Sequence, residues 1–159
     1  MENMKYYFKL IITIFIFVTN NGCKSDKDKY YTEIREFGLI RFPTIPPYIA
    51  GSTEGLNGPW FLLDSIYSGE EIHSLDVVDT IIVAFYYNKY ILVPENIDTT
   101  WYIIIPNMKG SYYFKNEKKF FDKLSLLTNK KPHFREASDL WLEFKNKGYL
   151  EWFPEEYKK

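Results

Sequence analysis

Residues 69–79 hold the densest set of side chains able to do chemistry: Glu70, Glu71, His73, Asp76 and Asp79. Carboxylates with an imidazole can bind a divalent ion through oxygen and nitrogen ligands. The spacing here follows no metal-binding loop pattern, and acids between two strands more often form a solvated turn, so no metal is expected. Asp64 is a further carboxylate, set inside an apolar run. Paired-acid catalysis needs a second carboxyl at a defined distance, and sequence alone supplies none. His73 and His133 are the two histidines, so a Ser–His–acid triad would have to use one of them. Nothing in the sequence places a serine and an acid beside either. Nucleophile elbows, zinc-protease helices, phosphate-cradling glycine loops and cysteine-based metal sites are all missing. The expectation is a non-catalytic protein without a cofactor. Its candidate binding residues are Tyr48 and Trp60, at or beside the loop 43–59, with Glu70, Glu71 and His73.

The most specific residue is Cys23, the only cysteine. It has no partner for an intramolecular disulfide, and a leftover cysteine in an exported chain needs an explanation. The residues before it supply one. Lys5 and Lys9 outweigh Glu2, residues 8–18 are almost wholly apolar, and Gly22 stands just before the cysteine. A positive start, a short apolar run and a small residue at the processing point form the secretory pattern. A spanning helix needs roughly 20 apolar residues, about twice what this run offers before Asn20 and Asn21 end it. The segment resembles a lipoprotein signal peptide, in which the cysteine becomes a lipidated N-terminus. Asn20 and Asn21 stand where that motif usually has leucine and a small residue. The resemblance implies cleavage before Cys23, a diacylglyceryl anchor and a place in the cell envelope. Residues 24–29, KSDKDK, are charged apart from Ser25 and read as a solvated tether. The expected organisation is a signal peptide at 1–22, a tether at 23–33 and one domain at 34–159.

Removal of 22 residues from 159 leaves 137, enough for one domain with a real core. Loss of Lys5, Lys9 and Glu2 takes 20 basic and 21 acidic side chains to 18 and 20, a net charge near −2. No basic patch is visible, so nucleic acid is not an expected partner. Without paired cysteines, folding outside the cytoplasm has to rest on the apolar core. The 14 Tyr, 13 Phe and 4 Trp would suit a sugar- or peptide-binding surface. The enrichment of Tyr, Phe, Ile, Lys and Asn together is also what an AT-rich genome encodes, and that explanation carries more weight.

The elements that must position these residues read as strands first and helices last. Residues 37–42 suggest a short strand, and 43–59, punctuated by Pro43, Pro46, Pro47, Gly51, Gly55, Gly58 and Pro59, reads as a loop. Residues 60–67 read as a strand ended by Ser68 and Gly69. Residues 77–87 form the strongest strand, apolar on both faces from Ile81 and therefore central. Asn88 and Lys89 suggest a tight turn into 90–93, and 99–105 and 111–114 complete an antiparallel meander. Asn116 then caps a helix with Phe120, Phe121, Leu124 and Leu127 on one face. A second helix carries Ala137, Leu140, Trp141 and Phe144 in a stripe and ends at Gly148. The tail is expected to return to the domain through Leu150, Trp152 and Phe153. This is the pattern of an α+β domain: an antiparallel meander of four to five strands packed against C-terminal helices.

Val78 with Ile81 and Ile82, then Asn88, Lys89, Tyr90 and Ile91, then Trp101, Tyr102, Ile103 and Ile104, and a helix entered through Asn116 and Glu117, resemble a family of small uncharacterised bacterial lipoproteins. The resemblance covers 60–127, and this chain adds a second helix and an aromatic tail. It implies fold and location and leaves mechanism open. Three functions follow as expectations. The first is a lipid-anchored domain binding a protein or peptide, an immunity-type role being one form. The second is a small-ligand or glycan binder using the loop 43–59. The third is an envelope hydrolase using Asp64 and the acids of 70–79.

Overall fold

The second half of the chain is built on two strands with every residue position spoken for. Ile82, Ala84, Tyr102 and Ile104 point into one core, and Ile81, Val83, Ile103 and Ile105 into another. A strand turns successive side chains to opposite faces, so a run apolar at every position forms only where both faces are covered. The computed structural model describes residues 30–31, 40–65, 68–87, 98–108 and 110–158. Cys23, the signal segment, the tether, and the expected turn and strand at 88–93 lie outside the described residues.

In chain order the strands are β1 (Ile40–Pro43), β2 (Ile49–Ser52), β3 (Trp60–Ser65), β4 (Ser68–Ile72), β5 (Ser74–Val78), β6 (Ile81–Tyr87), β7 (Thr99–Ile105), β8 (Gly110–Phe114) and β9 (Arg135–Glu136). Two α-helices are described in full, α1 (Glu117–Ser125) and α2 (Ala137–Lys147). The strands form two antiparallel sheets, ordered β1-β2-β3-β4 and β8-β7-β6-β5-β9, with the two helices packed against them. The fold is α+β. The expected meander is the middle of the five-stranded sheet, where Ile82 pairs with Ile104 and Val83 with Ile103.

The four-stranded sheet is the part the sequence does not announce. Residues 43–59 are not one loop: β2 lies inside them and pairs with both β1 and β3. Pro46 and Pro47, joined by a cis peptide bond, mark the turn between β1 and β2, while Pro43 ends β1 and Pro59 stands just before β3. Tyr48 donates its N–H to the Ile45 carbonyl at 2.8 Å, and the Thr44 hydroxyl donates to the Tyr48 carbonyl at 2.6 Å. Nor does the chain leave the sheet at Ser68 and Gly69, since β4 pairs with β3 through them. Gly69 permits this approach: a Cβ there would lie 2.5 Å from Leu63 Cδ2 and 2.6 Å from the Leu62 carbonyl oxygen. Glu70 and Glu71 are therefore strand residues, not a solvated turn.

The expected single strand 77–87 is a hairpin. Val78 pairs with Ile81, leaving Asp79 and Thr80 as a two-residue turn. Asp79 takes a φ of 56°, a left-handed conformation that Asp tolerates better than most residues. Its carboxylate is held from outside the turn by the Thr128 hydroxyl at 2.6 Å and the Lys130 ammonium at 2.7 Å.

The two sheets meet at His73. Its N–H donates to the Phe85 carbonyl at 2.8 Å, so the chain leaves β4 at the edge of one sheet and enters β5 inside the other. Strands that switch sheets at a bend make the corners of such folds. One core then joins Phe42, Ala50, Trp60 and Leu62 of the first sheet to Leu75, Ile82 and Tyr102 of the second and to Leu140 and Phe144 of α2. The other face of the five-stranded sheet is covered by Phe120 and Leu124 of α1.

The first helix begins, and the second ends, as their sequences predict; the first stops at Ser125, before Leu127 and the expected stop at 129–132. The Asn116 side chain accepts from the Lys119 N–H at 3.0 Å. Gly148 takes a φ of 86° and donates its N–H to the Phe144 carbonyl at 2.7 Å. Phe121 departs from the expected stripe and is 39% exposed, while its neighbour Phe120 is buried. The tail docks as expected: Leu150 and Phe153 are buried, and the Trp152 indole N–H donates to the Pro43 carbonyl at 3.4 Å.

Candidate functional site: an acidic cleft at the sheet corner

The corner at His73 opens into a cleft of about 380 Å³. One wall is the loop from Glu54 to Pro59, tied down where the Ser52 hydroxyl donates to the Gly55 carbonyl at 2.8 Å. Trp60 forms the floor; it is 5% exposed, and its indole N–H donates to the Leu56 carbonyl at 3.3 Å. Glu71, Ile72 and His73 come from the end of β4, and Tyr86 and Tyr87 from the end of β6. Glu136 and Ser138 close the far side, brought there because β9 pairs with β5 and the Ala137 N–H donates to the His73 carbonyl at 3.1 Å.

The His73 ring is held by hydroxyls at both nitrogens. Nε2 lies 2.7 Å from the Tyr87 hydroxyl and Nδ1 lies 2.9 Å from Ser74 Oγ. The Tyr87 ring packs against it at 4.2 Å between centroids. The Ser–His contact that the sequence did not reveal is thus between chain neighbours. Ser74 is only 5% exposed and does not line the cleft, whereas a nucleophile must reach its substrate. The contact fixes the imidazole in place and offers no attacking oxygen to the cleft. Among the described residues, no group of three or more His, Cys, Asp or Glu side chains is placed to hold a metal ion.

Three of the sequence-derived candidates meet here: Trp60, Glu71 and His73. Glu70 and Tyr48 do not. Strand alternation sends Glu70 away from Glu71, and its carboxylate accepts from the Tyr113 hydroxyl at 3.1 Å. Tyr48 packs on the shared core, and its backbone carbonyl accepts from the Tyr30 hydroxyl. The cluster 69–79 is split once more at its far end. Asp76 accepts the His133 N–H at 2.7 Å, and Asp79 pairs with Lys130 beside a second hollow of mixed charge. Sequence reasoning missed Glu54, Tyr86, Tyr87 and Glu136. The tyrosines read as strand filling, and Glu136 comes near only through pairing across more than sixty residues of chain. No short-range signal points to it.

Several phenols around this core resist ionisation. Burial, with the nearby Glu70 carboxylate, pushes Tyr102 up to about 12. Burial, with Glu156, does the same for Tyr31. Burial also raises Tyr30, and raises Tyr48 with help from Asp64 and Tyr113. A raised phenol pKa means the folded state keeps its proton while the unfolded chain, near 10, loses it. That stabilisation is complete below pH 10 and is lost as pH rises from 10 to about 12. Urea unfolding across this window should show stability falling as pH rises. A Tyr102→Phe variant should lose less over the same window. Parallel loss in both proteins would remove Tyr102 as a source.

Comparison of the chain with protein-family models finds no match, and neither curated proteins nor solved structures give a significant one.

Proposed function

We propose that this protein is a non-catalytic binding domain for a protein or peptide partner. It is held at a bacterial membrane by lipid on Cys23 and works in the cell envelope. An immunity-type role, in which the bound partner is a toxin, is one form of this reading. The observation that carries it is the open cleft at the sheet corner, walled by Glu54, Glu71 and Glu136 and by Tyr86 and Tyr87. Concave sites with an apolar or aromatic lining and a few polar groups are where proteins take ligands. Ser74, the serine against the cleft's histidine, is buried and does not line the cleft, so recognition fits the cleft better than Ser–His hydrolysis does.

The glycan-binding reading shares the cleft but suits it less well. A sugar stacks on a ring face offered to solvent, and Trp60 is nearly closed off beneath the loop. Nucleic acid fits worst, because no Lys or Arg lines the cleft among the described residues, and phosphate recognition depends on those side chains.

The test uses the full lipid-anchored chain, solubilised in mild detergent and immobilised, with envelope extract passed over it. Recovery of a stoichiometric partner that a Glu71→Lys chain fails to hold is the expected result. Repeated failure to recover any such partner would count against the reading.

A further inference from the structure

We propose that the cleft at the sheet corner is a receptor for a single cationic side chain, Lys or Arg, presented by a peptide segment of the partner. This rests on the binding role proposed above and assigns its chemistry.

The cleft combines three properties that select such a group. Its size, about 380 Å³, falls at the lower end of ligand sites, which run from roughly 300 to 1,000 Å³. That suits one long side chain better than a whole cofactor. Its lining holds three acids and, among the described residues, no Lys or Arg. Glu54 comes from the loop, Glu71 from β4 and Glu136 from β9, so three separate elements bring a glutamate to the lining of one hollow. Five acids elsewhere, Asp79, Asp98, Asp122, Glu143 and Glu155, form ion pairs, while Glu70 and Asp76 meet neutral donors instead. Glu54, Glu71 and Glu136 take part in none of the ion pairs of the described residues. A group of like charges left uncompensated works against the compact state, and a cation entering from outside relieves that repulsion. Its walls are aromatic as well as acidic. Tyr86 and Tyr87 flank the entrance to His73, where they can cover the alkyl stem of Lys or Arg and offer a ring face to its charge.

The probes are two short blocked peptides that differ at one residue, arginine in one and citrulline in the other, which keeps the shape and removes the charge. Binding to the full chain in detergent micelles is followed by fluorescence anisotropy. The arginine peptide should bind about threefold to tenfold more tightly than its citrulline twin, the range expected of partly solvated charge pairs. That preference should shrink as salt is added. Glu71→Gln and Glu136→Gln should each remove most of it, whereas Glu151→Gln, an exposed acid outside the cleft, should leave it intact. Circular dichroism checks that each variant is folded.

Equal binding of the two peptides, or a preference that survives both glutamine substitutions, overturns the inference. So does free arginine binding as tightly as the peptide, which would make the site one for a small amine. A stoichiometric envelope partner that ignores Glu71→Gln and Glu136→Gln overturns this inference alone. Failure to recover any partner overturns the binding role itself.

Discussion

Replacing Cys23 by serine is expected to move this protein from the membrane fraction to the soluble fraction while leaving its fold unchanged. On the proposed reading, the sulfur of Cys23 carries a diacylglyceryl group. Each buried methylene contributes about 0.8 kcal/mol, so a single chain holds marginally and two hold firmly. Serine offers no thiol for that linkage, so the whole anchoring energy is lost in one substitution. Cys23 is the only cysteine, so no disulfide is disturbed. Fractionation of cells expressing the wild-type and Cys23→Ser chains, with circular dichroism of each, measures both halves of the prediction. A serine variant that still pellets with membranes would rule out the lipid anchor.

The second large effect is on stability. Phe120→Ala is expected to cost about 3–5 kcal/mol, the usual range for emptying a buried aromatic site. Phe120 is fully buried among Val78, Ile81, Val83, Ile103, Ile105 and Leu124. Its ring meets Trp101 at 5.1 Å, Phe121 at 5.0 Å and Phe114 at 6.1 Å between centroids. It packs between α1 and the face of the five-stranded sheet that α1 covers. A domain of this size has only about 5–15 kcal/mol in hand, so the loss is a large fraction of the whole. Phe121, one residue along and 39% exposed, provides the comparison: Phe121→Ala should cost about 1 kcal/mol. Urea titrations of both variants decide the matter. Equal losses would mean that the packing of α1 on the sheet has been misassigned.

The elements written in local pattern were legible. Strand β7 spans the same residues, 99–105, that the sequence predicts as a strand. Asn116 and Gly148 cap their helices in the expected way, because capping depends on groups within a few residues of one another. The continuous apolar run from Ile81 correctly implied a strand covered on both sides. Position Asp79 broke the expected strand because its left-handed turn is stabilised by Thr128 and Lys130, some fifty residues away. Strand β4 was hidden for a related reason. Its residues, SGEEI, have poor strand propensity, and they pair only because Gly69 fits against β3.

The site followed the same division. Trp60, Glu71 and His73 could be named from composition and neighbourhood, but their convergence could not. Chain proximity grouped five acidic and imidazole side chains, and the alternation of strands together with the sheet switch at His73 sent them to three different places. Conversely, Glu54 and Glu136 share a hollow although β9 reaches β5 from the far end of the domain.

The residues by themselves determined the exported, lipid-anchored reading of Cys23, the α+β class and the expectation that catalysis is missing, because each rests on local order and on which residue types are present. Only the tertiary structure decided that there are two sheets and that a cleft opens where they meet. It also decided that Glu54, Glu71 and Glu136 line one cleft with no Lys or Arg of the described residues among the lining. Which side chains come together across a corner is settled by strand pairing and core packing over long stretches of chain, and neither leaves a mark in local sequence.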